Sequence, residues 1–84
     1  MTDTEFDVID ELYFVTSFDV LAAQVDLPEP DLKYTLQSLL AKGWIKCFKT
    51  ASEELLPEEI DLDQAYRKYY FLATKAGLLA HNTK

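Results

Sequence analysis

The basic side chains are the groups in this sequence with the most chemistry to offer. Lys33, Lys42, Lys46 and Lys49 fall in the stretch 33–49, which holds no acid, and Arg67 and Lys68 follow further on. Cations clustered in this way can neutralise phosphates and release the counterions condensed on a nucleic acid. Gln37 and Lys33 belong to the residue types that read base edges, Gln by a paired bond to adenine and Lys at guanine. Tyr34 can stack on a base or contact it. Each has a plainer reading beside the sharp one. The lysines equally suit the solvated surface of an ordinary domain, and a helical Tyr more often half-packs on a neighbour.

The remaining reactive types point nowhere in particular. His81 has no second His or Cys at ligand spacing, so no metal is expected. Cys47, flanked by Lys46 and Lys49 but by no helix start, reads as a small strand hydrophobe. Asp61 and Asp63 resemble the opening of a calcium loop, yet the central Gly and the terminal bidentate Glu are missing. Gly43 and Gly77 are the only glycines, too few and too far apart for a phosphate-cradling loop. The acids Asp3, Glu5, Asp7, Asp10 and Glu11 read as solvated positions and helix-start chemistry, because a catalytic carboxylate pair would need a cleft and a partner. No catalytic residue, cofactor or metal is expected, and an enzyme is the least favoured class.

Composition sets the frame for these groups. The chain has 84 residues, a net charge of −7, 49% apolar and 13% aromatic residues. That is too hydrophobic for a disordered acidic tail and the right size for one domain, residues 1–84. A single cysteine excludes an intramolecular disulfide, and the acidic start is wrong for a signal peptide. No apolar stretch approaches the roughly 18–20 residues that cross a bilayer. A soluble protein of a reducing cytoplasm, without membrane attachment, is expected. The charge is blocked along the chain: residues 1–32 hold only acids, 33–49 only bases, 50–66 only acids, and 67–84 only bases.

Periodicity predicts the elements that carry these groups. Phe6, Ile9 and Tyr13, with Val8 and Leu12 beside them, make an amphipathic stripe over about residues 4–15, capped by Thr4. Ser17 caps a second helix over about 18–25, which Asp26 ends in a left-handed conformation. A third runs over about 30–42, burying Leu32, Leu36, Leu39 and Leu40 and stopping at Gly43. Trp44 to Lys49 alternates and reads as a strand. Residues 50–65 lose periodicity and read as a long acidic loop. Arg67 to Ala73 forms a second strand, antiparallel to the first, and Thr74 caps a last helix to about His81.

At this point the residues resemble a known family. Leu21-Ala22-Ala23-Gln24-Val25-Asp26-Leu27-Pro28-Glu29-Pro30-Asp31-Leu32 is similar to the helix-turn-helix of winged-helix transcription regulators. Ala41-Lys42-Gly43-Trp44-Ile45 resembles their entry into the first wing strand, and Phe71-Leu72-Ala73-Thr74-Lys75-Ala76-Gly77 their exit from the wing. The resemblance implies an α+β, mainly α fold: a three-helix bundle, an antiparallel hairpin wing and a short C-terminal helix. It implies a DNA-binding regulator whose third helix turns Glu29, Asp31, Lys33, Tyr34 and Gln37 to the major groove. Lys42, Lys46, Lys49, Arg67 and Lys68 complete the expected DNA-binding set.

Two features carry an alternative. Glu29 and Asp31 stand at the start of the third helix, where each repels phosphate, and the wing tip is acidic. A winged helix of this kind can instead be a protein–protein interaction module that never touches DNA. The partner is thus double-stranded DNA or a protein. For its own assembly the expectation is a monomer or weak homodimer, pairing through residues such as Phe14, Leu78 and Leu79.

Overall fold

The computed structural model describes residues 1–83; Lys84, the last member of the C-terminal basic block, lies outside the described residues. Thr2 begins the ordered chain with a capping box: its hydroxyl accepts from the Glu5 amide, and the Glu5 carboxylate accepts from the Thr2 amide. Helix α1 therefore spans Asp3–Asp10, starting earlier than Thr4 would place it and ending well before residue 15. It stops because the segment after it belongs to the sheet. The Ala73 amide donates to the Leu12 carbonyl, and Thr16–Ser17 forms strand β1. The buried stripe is Glu5, Val8, Ile9 and Leu12; Val8, Ile9 and Leu12 are where the sequence reading puts them, while Phe6 is only half-buried, Tyr13 is exposed and Glu5 is buried in their place.

Ser17 caps α2, Phe18–Gln24, as its position predicts. The helix does not end through a left-handed Asp26. Val25 leaves it in extended conformation, with its side chain buried in the core, and among the described residues only Gly43 has positive φ. Pro28 opens α3, Glu29–Ala41, where its missing N–H has no helical partner to lose. Leu32, Leu36 and Leu39 are fully buried, and Leu40 is half-buried at the margin. Gly43, at φ +73°, turns the chain into β2, Ile45–Thr50.

The stretch 50–65 is not an unstructured loop. It holds β3 (Glu53–Glu54), a 3-10 turn at Pro57–Glu59, and the four-residue α4, Leu62–Ala65, capped by Asp61. Leu62 is buried, and Leu55 and Ile60 pack against the core. Three apolar side chains without helical or strand period suffice to tie the segment down. The second predicted strand is also shorter than expected, β4 being Tyr70–Ala73. Tyr66–Lys68 forms another 3-10 turn, which seats the Tyr66 ring edge-on against Phe18, centroids 5.0 Å apart.

The sheet is antiparallel, in the order β1-β4-β2-β3. Ile45 faces Ala73 and Phe48 faces Tyr70 in the central pair, while Thr16 faces Phe71 at the edge. Phe71 and Cys47 point into the core and are fully buried. Thr74 caps α5, Lys75–Asn82. That helix lies so close to β2 that a Cβ on Gly77 would come 2.0 Å from the Trp44 carbonyl oxygen. The result is an α+β domain with its helices packed on an antiparallel sheet. No helix of the described residues is long and apolar enough to cross a membrane.

Candidate functional site

Helix α3 and the 3-10 turn before β4 bring three of the expected DNA-contacting residues to one face. Lys33 and Gln37 lie one turn apart on α3, and buried Leu62 anchors α4 beside them. This placement aims Asp63 at both. Its Oδ1 accepts from Lys33 Nζ at 3.0 Å and from Gln37 Nε2 at 3.2 Å. Arg67 reaches across to the first residue of α3 and donates to the Glu29 carboxylate. Tyr66 joins the two pairs: Lys33 Nζ lies 5.1 Å from its ring centroid and the Arg67 guanidinium carbon 5.7 Å. The Arg67 partnership lowers the Glu29 pKa and raises that of Arg67.

The other expected contacts are dispersed. Lys42, at the end of α3, donates to Glu5 at 2.6 Å and sits over the Trp44 ring at 4.8 Å. Lys46 on β2 faces Glu54 on β3 at 3.6 Å. Lys49 and Lys68 have no ion-pair partner among the described residues, but line one shallow depression with Glu53 and Glu59. Tyr34 is 72% exposed, so it does not half-pack. Asp31 is exposed on the same helix. Four of the expected phosphate contacts thus already hold a carboxylate of the same chain.

Glu5 is the functional-type residue that sequence reasoning placed wrongly. It is 4% exposed, not solvated. Burial alone would raise its pKa; the bond and charge of Lys42, the Thr2 amide and the Ser38 hydroxyl together pull it down to about 2. Its spacing from Thr2 is the capping signal that was available. Its partnership with Ser38 and Lys42, more than thirty residues away, had no local signature. Cys47 follows expectation: burial pushes its thiol up to about 12, far from a reactive thiolate.

A second cluster, unread from the sequence, surrounds His81. The ring is 8% exposed and stacks on Phe6, centroids 4.0 Å apart. Nδ1 lies 3.3 Å from the Tyr13 hydroxyl, and Nε2 lies 3.4 Å from Asp10 Oδ1 without a hydrogen bond of good geometry. The cluster ties α1 to α5. Among the described residues, no three of His, Cys, Asp or Glu converge in a way that could hold a metal ion.

No protein-family model, curated protein or solved structure matches the chain. Function is therefore read from the geometry and charge of these groups.

Proposed function

We propose that this chain is a winged-helix interaction module that binds a protein partner and does not bind duplex DNA. The order α1, β1, α2, α3, β2, β4, with β4 between β1 and β2, supports the winged-helix reading. One observation carries the functional choice: Lys33, Lys42, Lys46 and Arg67 each face a carboxylate of this chain. A phosphate approaching any of them must displace or tolerate that carboxylate. Each counterion gained from DNA is then offset by a repulsive charge left beside it. Of the expected set Lys49 and Lys68 remain, and two cations sharing one depression with Glu53 and Glu59 on a −7 chain give weak, non-specific attraction at most.

What α3 offers a protein is better matched to its surface. Tyr34 is a large amphipathic side chain held out on a rigid helix, a residue type enriched in the centre of interfaces. The depression beside it is lined by Glu5 and Asp31 and by no base, which suits a partner carrying positive charge better than a polyanion.

The test is a titration of the full chain with random duplex DNA at low salt, beside the variant carrying Glu29→Gln and Asp63→Asn. Wild type should show no saturable binding, and the variant, with Arg67, Lys33 and Gln37 released, should bind measurably. Binding by wild type as tight as by the variant would overturn the proposal.

A further inference from the structure

A groove of about 480 Å³ lies on the far side of β2 from β4, between the end of α3 and the segment 54–60. Its walls are aliphatic: Leu40 from α3, Ile45 from β2, and Leu55, Pro57 and Ile60 from the returning segment. Leu55 holds that segment in place, donating its amide to the Cys47 carbonyl at 2.9 Å. The groove is thus built on the sheet edge, and its volume falls within the roughly 300–1,000 Å³ usual for binding pockets. Leu56, next to the lining, is 57% exposed.

The charge around the groove is one-sided. The segment that forms its outer wall carries Glu53, Glu54, Glu58, Glu59 and Asp61. Among these, only Glu54 is ion-paired, with Lys46, the one base lining the groove, while Glu53 and Glu59 line the neighbouring depression with Lys49 and Lys68. Glu59 and Asp61 turn one oxygen inward to amides of their own turns, and Glu53 and Glu58 stand exposed. An apolar slot beneath a wall of carboxylates favours one kind of occupant on charge alone.

We infer that this groove takes a basic amphipathic segment of a partner protein, its apolar side chains seated between Leu40, Leu55 and Ile60 and its Lys or Arg residues against Glu54 and Glu58. The inference rests on the protein-binding half of the interaction-module reading and supplies the partner chemistry it lacks. The occupied groove leaves the α3 face open. DNA binding at α3 would therefore overturn the first reading without touching this one.

The probe is a short helical peptide of leucine and lysine, added to the isotopically labelled full chain, with a leucine–glutamate peptide and an alanine–lysine peptide as controls. The leucine–lysine peptide should produce saturable shifts of the amides of Leu40, Ile45, Leu55 and Ile60, and neither control should. Leu55→Asn should abolish those shifts. Should that variant fail to fold, the exposed pair Glu54→Lys and Glu58→Lys should weaken binding about tenfold, a change of about 1.4 kcal/mol. Equal binding by the leucine–glutamate peptide, equal binding by the alanine–lysine peptide, or shifts confined to other residues would each overturn the inference. So would groove shifts that grow with protein concentration in the absence of peptide, since a second copy would then be the occupant.

Discussion

Two acid–base assemblies touch the same helix, α3, and differ in one respect above all. At its end, Lys42 and Ser38 hold the buried carboxylate of Glu5. Along its exposed side, Lys33 and Gln37 hold Asp63, whose side chain is 72% exposed, and Glu29 at the first residue holds Arg67. The donors are alike; the solvent is not. Around Glu5, whose side chain is 5% exposed, no water can replace a lost partner even though the Lys42 side chain is 42% exposed, so the assembly acts as a structural lock between α1 and α3. Outside, water and salt compete for every bond, and a partner's groups can do the same. Burial, more than the identity of the residues, separates the half of α3 that holds the fold from the half open to a partner.

The largest effect expected is on the apolar frame that both assemblies need. Leu36→Ala should cost about 2–5 kcal/mol in chemical denaturation, since Leu36 is fully buried between them. Gly77→Ala should cost about 1–3 kcal/mol by the opposite route, overpacking, because the new methyl group meets the Trp44 backbone.

The two assemblies respond differently to pH. Glu5 has its pKa lowered from 4.5 to about 2, so its folded-state carboxylate binds fewer protons than in the unfolded chain. Its contribution is complete above pH 4.5 and is lost as pH falls through 2. On the linkage relation that amounts to about 3 kcal/mol. Glu5→Gln should therefore be less stable than wild type at neutral pH, with the gap closing in acid. A constant gap from neutral pH down to pH 2 would mean that the inner assembly does not act through its charge.

The outer assembly should behave otherwise. Asp63→Asn should change stability by no more than about 1 kcal/mol, and any change should shrink in high salt. A larger, salt-insensitive loss would erase the distinction between the two halves of α3.

Much of this was legible in the sequence where the signal is local. The Ser17 and Thr74 caps, the Leu32–Leu36–Leu39 stripe and the Gly43 stop each rest on spacing within a turn or two, and each is in the structure. The failures are tertiary. Nothing near Leu12 shows that the Ala73 amide will take its carbonyl and end α1 early. Nothing in the acidic run shows that Leu62 will be buried and carry Asp63 onto α3. The same blindness affects the candidate site. The lysines could be listed from the sequence, but the carboxylates beside them come from segments 20 or more residues away in three of the four pairs, with only Lys46 and Glu54 close in the chain. Charge blocks that look segregated along the chain are interleaved in space.

The proposal turns on the chain's own carboxylates already occupying four of the bases expected to meet phosphate. Its most direct test is the binding of wild-type protein to random duplex DNA followed across low to moderate salt. No saturable complex should form at any salt, so no slope of log K against log salt should be measurable. A straight line with a slope of about −4 to −5, flattened by roughly 2 on changing Lys46 and Lys49 to Ala, would show four to six phosphates neutralised and contradict the claim.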